Sequence, residues 1–407
     1  MLRLRQAFLG SPSRWFVSTR GISTGLALVL ALSYTKILGV EKRSVLAFIM
    51  ISALILTFLL TSGISLTLRN KHPDEIQDSE LFGYLSLVIM AGFFVAVFNC
   101  LLLLLYSHVK TPIALPLYVI CFAYSFFACV NMGYQDALFA KGNLKYATIF
   151  DFVTVVIQIF TMIFLIKLGQ NSLIVSVFLA FIVSYGLITF ATGTLFLKTL
   201  TLDLKLITNG MKNIIVQSRN QHLFGIANGL VDRVDRFLIG LILPIGFLAK
   251  YSLLSSIISF ARFFPDSAVK LNLLMHHQSK SKDIRVSNPR IAALIVMAGI
   301  TFALTAQIFI KILFGNAWLL PLTVGFIFVA QEILRGLYQI RAIGLIAMGG
   351  KAEMSQISLL LIVLSVGFIT IGTYVFGVWG APAAMALVYL ILLIQVNSKS
   401  KKILNAS

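Results

Sequence analysis

The sequence predicts an all-α, polytopic membrane protein of about twelve transmembrane helices in two six-helix bundles. Three observations lead there. The 407 residues are 59% hydrophobic and only 12% charged, about half the charged fraction of a soluble domain. Apolar stretches of about 20 residues, enough to cross the hydrocarbon core of a bilayer, recur along almost the whole chain. Lys and Arg gather in alternate connections between those stretches, as cytoplasmic loops require.

The first span takes 16–38, behind Arg3, Arg5 and Arg14. Its apolar run is too long, and followed by too many others, for a cleaved signal peptide. Glu41-Lys42-Arg43 separates it from the second span, 44–68. The connection 69–80 carries Asp74, Glu75, Asp78 and Glu80, a solvated acidic run, and leads to the third span, 81–107. The fourth (113–138) and fifth (146–167) flank the turn Lys141-Gly142-Asn143, and the sixth is 172–197. The seventh, 214–243, is polar in its first half. Pro265 lies inside the eighth, 247–273, where it frees a backbone carbonyl and kinks the helix, either for packing or to open a cavity. His276 and His277 follow in the next connection without a third ligand nearby, so they read as solvated rather than metal-binding. The ninth and tenth spans are 290–314 and 319–345. The eleventh and twelfth, 356–376 and 378–396, are parted only by Gly377. Cys100, Cys121 and Cys129 sit in apolar stretches without metal or redox spacing and read as packing residues.

Of the 33 Lys and Arg, 18 fall in connections on the side of the termini, 7 on the opposite side and 8 within spans. That asymmetry places both termini in the cytoplasm. It also accounts for the net charge of +19 without any nucleic acid as partner. The longest connections, 69–80, 198–213 and 274–289, all face the cytoplasm on this reading.

Two segments resemble each other across half the chain. Tyr134-Gln135 with Ala140-Lys141-Gly142-Asn143 answers to Tyr338-Gln339 with Ala347-Met348-Gly349-Gly350-Lys351. Both lie where an even-numbered span meets the cytoplasm, which predicts a parallel duplication with halves at 1–200 and 201–407.

A charge at bilayer depth costs about 2.5–3.5 kcal/mol, so charges inside spans mark a protein interior or a polar cavity. Asp232-Arg233-Val234-Asp235-Arg236 is the densest such cluster. Interior basic residues are Arg20, Arg219, Arg233, Arg236, Arg262, Lys270, Arg335 and Arg341; interior acids are Asp136, Asp151, Asp232, Asp235, Asp266 and Glu332. Helical spacing lets Asp232 pair with Arg236, Arg262 with Asp266, and Glu332 with Arg335. Asp136 and Asp151 lie near Lys141 and Lys145 and read as interfacial. Two readings stand side by side. In one, the pairs only fix helix packing. In the other, the arginines, seven to one lysine, line a site for an anion, because a guanidinium binds two phosphate oxygens at once and stays charged. Its candidates are Arg20, which has no acid in its own span, and Arg233, Arg236 and Arg262. No catalytic residue, metal site or cofactor is expected.

Asp235-Arg236-Phe237-Leu238-Ile239-Gly240, followed by Ala249-Lys250-Tyr251-Ser252-Leu253, resembles the seventh-to-eighth span signature of the O-antigen and polysaccharide flippases. These belong to the multidrug/oligosaccharidyl-lipid/polysaccharide exporter superfamily. The Gly-containing turns at 142–143 and 349–350 fit as well. One departure is Leu38-Gly39-Val40-Glu41-Lys42-Arg43, where relatives often carry an aromatic-Gly pair, so the outward rim differs. The resemblance implies a transporter of the bacterial inner membrane rather than an enzyme. Two V-shaped bundles would rock around a central cavity and flip an undecaprenyl-pyrophosphate-linked oligosaccharide, an O-antigen or other surface polysaccharide unit, to the outer leaflet. It further implies H⁺ or Na⁺ coupling through Asp232, Asp235 or Glu332. The implied partners are membrane lipids, a polysaccharide polymerase and a chain-length regulator. A multidrug or cation antiporter of the same superfamily would need cavity carboxylates for its cations, against the arginine excess. A lipid II flippase shares the anionic-lipid logic. A membrane polymerase or glycosyltransferase would carry a large outward loop, yet no outward connection exceeds about a dozen residues, far below domain size.

Overall fold

The computed structural model describes residues 11–169, 172–197, 204–259, 297, 301, 305–347 and 350–406. Every regular element among them is helical. The helices are α1 (Ser11–Arg69), α2 (Asp78–Val109), α3 (Leu115–Ala140), α4 (Leu144–Leu168), α5 (Leu173–Leu197), α6 (Leu204–Ile242) and α7 (Phe247–Ser259). They continue with α8 (Thr305–Phe314), α9 (Leu322–Ala347), α10 (Lys351–Phe376) and α11 (Gly380–Ala406). Six helical segments are long and apolar enough to cross a membrane, and two of these, Gly21–Arg69 and Ala352–Lys401, each hold two expected spans.

The reason lies in single glycines. α1 is interrupted only at Gly39, with φ 72° and ψ 176°, a conformation open to a residue without Cβ at little cost. Glu41, Lys42 and Arg43 therefore begin a second limb, 40–69, where the sequence suggested a connection. Gly377 (φ 61°) turns α10 into a short 3-10 turn and then α11. α6 starts well before the expected span: its 39 residues rise about 58 Å at 1.5 Å each, against a hydrocarbon core of about 30 Å. The excess is its polar first half. Arg262, Pro265, Asp266, Lys270, His276 and His277 lie outside the described residues.

These turn residues expose the duplication. Gly39 and Gly246, both at positive φ, are 246 − 39 = 207 residues apart. Asn143 donates its N–H to the Leu138 carbonyl (2.9 Å) and Gly350 donates to Leu345 (3.0 Å), the same five-residue helix closure, again 350 − 143 = 207 apart. Gly169 (φ 63°) and Gly377 (φ 61°) are 377 − 169 = 208 apart. The Tyr134-Gln135 and Tyr338-Gln339 likeness is instead 338 − 134 = 204 apart, three residues out of step with the turns, so the turns carry the repeat and that dipeptide does not.

By its internal contacts the chain divides within α6, into Met1–Gly229 and Leu230–Ser407. In the first unit, Ile64, Leu68, Leu81, Tyr84, Val88, Tyr134 and Leu138 share one buried cluster. Deeper along α2, the fully buried Asn99 ties three helices together. It accepts from Ser52 Oγ (2.5 Å) and donates to the Ile49 carbonyl (3.1 Å) and Ser125 Oγ (2.7 Å). Cys121 and Cys129 are buried and Cys100 half-buried, packing roles as expected.

One end of this unit is charged. Lys71 pairs with Glu80 (2.6 Å), Arg69 with Asp136 (3.3 Å) and Lys141 with Asp78 (3.7 Å). These pairs bring the 69–78 connection and the 141–143 turn to one face. The first half of α6 docks there too, through Gln217 to Glu80 (3.4 Å) and Asn70 to Gln221 (3.0 Å). Glycines let the backbones close in: a Cβ on Gly210 would overlap the Ser79 carbonyl, on Gly83 the Gly210–Met211 backbone, and on Gly225 the Ser62 side chain. Small residues at such crossings are how helices pack where no hydrophobic drive exists. In the second unit α10 and α11 cross at Gly372 and Gly380 in the same manner, and Tyr338 on α9 packs on Tyr389 of α11 (centroids 5.9 Å).

Candidate functional site

The second half of α6 carries the densest charge, and the chain then doubles back sharply. Phe247 donates to the Pro244 carbonyl (3.3 Å) and Lys250 to Gly246 (3.2 Å), with Gly246 at φ 100°. α7 therefore returns beside α6 and sets Tyr251 opposite Asp235, the two being equidistant in sequence from Leu243. Asp235 is 3% exposed. Its Oδ2 accepts the Tyr251 hydroxyl at 2.9 Å and its Oδ1 accepts the Arg236 backbone N–H at 2.7 Å. Arg236 Nε stands 3.9 Å from Oδ1.

α9 closes the site. The Phe328 ring packs on Tyr251 with centroids 4.8 Å apart. Glu332 follows one helical turn further on the same face and is buried. Arg335 Nη1 lies 3.7 Å from Glu332 Oε2, and both side chains are buried. The Tyr251 hydroxyl thus joins the charged pair of α6, and an ion pair of α9 lies one turn beyond the ring that packs on Tyr251. Ser255 Oγ, a turn beyond Tyr251, and Gln331 Oε1, next to Glu332, are buried without hydrogen-bond partners. Oxygen ligands of that kind suit a hard cation. Among the described residues no group of three or more His, Cys, Asp or Glu forms a metal centre.

Of the residues singled out from the sequence, Asp235 and Arg236 are neighbours on α6, and Glu332 stands on α9, one turn beyond the Phe328 ring that packs on Tyr251. The expected Glu332–Arg335 pair forms. Arg233 is half-buried on α6, and Asp232 lies on the same helix. Arg20 lies on the first limb of α1, in the other unit, and Arg262 falls outside the described residues. Asp136 pairs with Arg69 rather than with Lys141 or Lys145. Tyr251 was visible in the sequence only as part of a motif. Its partnership with Asp235 could have been found from the hairpin symmetry about Leu243.

No family model matches the chain, and no curated protein matches it. Solved structures do. The lipid II flippase MurJ in an inward closed conformation superposes with a TM-score of 0.66 at 12% identity, covering 96% of this chain and 88% of that one. A point mutant of the Vibrio cholerae MATE transporter VcmN gives 0.58 at 14%, covering 97% and 95%. The MATE multidrug transporter DinF-BH, solved as a complex, gives 0.57 at 16%, covering 94% and 93%. Likeness at such identities is one of fold. The chain is all-α among its described residues, with six helical segments long and apolar enough to cross a membrane, and it shares its fold with these flippase and MATE transporter structures.

Proposed function

We propose that this protein flips an anionic lipid-linked oligosaccharide, with undecaprenyl pyrophosphate as carrier, from the cytoplasmic to the outer leaflet of the bacterial inner membrane. Both termini are cytoplasmic in this reading. The six-helix halves 1–200 and 201–407 alternate access across the bilayer, and no bond is made or broken. The observation that carries it is the excess of arginine inside the spans, six to one lysine once Arg219 on the polar first half of α6 is set aside, in a fold shared with a lipid II flippase. Arginine recognises the one constant part of every such substrate, its pyrophosphate. Arg20, Arg233, Arg236 and Arg262 are the residues assigned to it. Asp235 and Glu332 around Tyr251, with Asp232 nearby in sequence, are assigned to H⁺ or Na⁺ coupling. A polysaccharide polymerase and a chain-length regulator are the natural partners.

Those same buried carboxylates favour a second reading, cation-coupled multidrug export. Proteoliposomes separate the two. Fluorescent undecaprenyl-pyrophosphate oligosaccharide should cross to the opposite leaflet, and Arg233→Ala or Arg236→Lys should slow it at least tenfold while insertion is unchanged. The lysine keeps the charge and loses the fork. Unimpaired flipping in both variants would overturn the arginine assignment, and efflux of an organic cation with no lipid movement would overturn the flippase reading.

A further inference from the structure

Arg43 is a buried charged residue of the first unit that its surroundings leave unsatisfied. It is 5% exposed. Its Nε donates to Thr35 Oγ1 at 3.0 Å and its guanidinium lies 5.0 Å from the centroid of the buried Tyr34 ring. Nη1 is buried and has no hydrogen-bond partner, and among the described residues no carboxylate pairs with it. A buried charge without a counter-ion is among the costliest arrangements in a protein. The nearest acid in sequence, Glu41, is exposed.

The backbone around it is prepared for an anion. Gly39 breaks the helix, so the second limb of α1 begins with amides that have no acceptor one turn back. A helix N-terminus of this kind attracts negative charge. Arg43 sits four residues after Gly39, on the same helical face. No atom lies within 4 Å of where a Gly39 Cβ would stand, so there is room beside the turn. Gly39 parts the two limbs of α1, each long enough to be a span, so the turn belongs to a connection between spans.

We propose that the Gly39 turn and Arg43 form a binding site for a phosphate-type oxyanion, separate from the Asp235–Glu332 cluster. Phosphate fits better than a spherical anion because the free edge of the guanidinium offers parallel N–H groups to two oxygens. The source is either the headgroup of a resident phospholipid or the phosphate of a transported lipid. The site stands independently of what is transported, because binding is read without flipping.

The test uses purified, delipidated full-length protein in neutral detergent. Thermal unfolding is followed against inorganic pyrophosphate, phosphatidylglycerol and, as uncharged control, diacylglycerol. Wild type should be stabilised by phosphatidylglycerol, pyrophosphate or both, and not by diacylglycerol. Arg43→Gln should weaken that response at least tenfold, and Arg43→Lys, which keeps the charge if the glutamine variant does not fold, severalfold. A response to phosphatidylglycerol alone assigns the headgroup, whereas a response to pyrophosphate assigns a free or substrate oxyanion. Equal responses in wild type and both variants, or no response to either anion in wild type, would overturn the proposal.

Discussion

Replacing Tyr251 by Phe removes one oxygen from the interior of the second unit and leaves the ring that packs on Phe328. The lost contact is the 2.9 Å bond to Asp235 Oδ2, and its strength depends on whether Asp235 is charged. An uncharged interhelical hydrogen bond inside a membrane protein contributes about 0.6 kcal/mol on average. One to a charged group contributes about 1.5–3 kcal/mol. The geometry favours the second figure, because Asp235 takes a second hydrogen bond at 2.7 Å on its other oxygen and has Arg236 Nε 3.9 Å away. A double-mutant cycle of Tyr251→Phe and Asp235→Ala, read by reversible unfolding in mixed micelles, isolates the pair. We expect a coupling energy of at least about 1.5 kcal/mol, and slower transport in Tyr251→Phe than its stability loss explains. A coupling at or below about 0.6 kcal/mol would refute the reasoning, since Asp235 would then be a neutral hydrogen-bonded group with no poised charge.

Glu332→Gln should destabilise the second unit by up to about 3–5 kcal/mol by removing the carboxylate paired with the buried Arg335; Glu332→Leu with Arg335→Met should recover most of that in unfolding measurements. If the double variant also transports at the wild-type rate, Glu332 has no coupling role. Gly210→Leu should abolish stable assembly, because its side chain would enter the Ser79 carbonyl. Gly367→Ala, with nothing near its added carbon, should instead raise helix stability by up to about 1 kcal/mol. Comparable melting temperatures for the two glycine variants would sink the close-packed account of α6.

The span pattern was legible because it depends on local apolarity over about 20 residues, and each described helix overlaps an expected span. What stayed hidden were features set by one backbone conformation. A polar trio after the first span reads as a loop, but Gly39 alone turns the chain and leaves Arg43 buried in a helix. The polar first half of α6 reads as half a span, because hydropathy cannot register a helix that runs past the bilayer and docks through glycines. Ion pairs within one helix, such as Glu332–Arg335, follow from spacing. Pairs between elements, such as Arg69–Asp136, do not.

The duplication bears directly on whether the charged cluster is mere packing. At the offset of 207 that joins Gly39 to Gly246 and Asn143 to Gly350, Asp235 and Arg236 correspond to Leu28 and Val29. Glu332 and Arg335 correspond to Ser125 and Ala128. The first half thus builds its version of the same helices with no ion pair at any of these positions. Where the second half has Glu332, the first has Ser125, held in a neutral network with Asn99 and Ser52. Neutral hydrogen bonds between helices avoid the desolvation that a buried ion pair must overcome. Had packing been the only requirement, the same solution was open to the second half. Four charges kept in one half and dispensed with in the other support a role in what the protein moves or in what drives the movement.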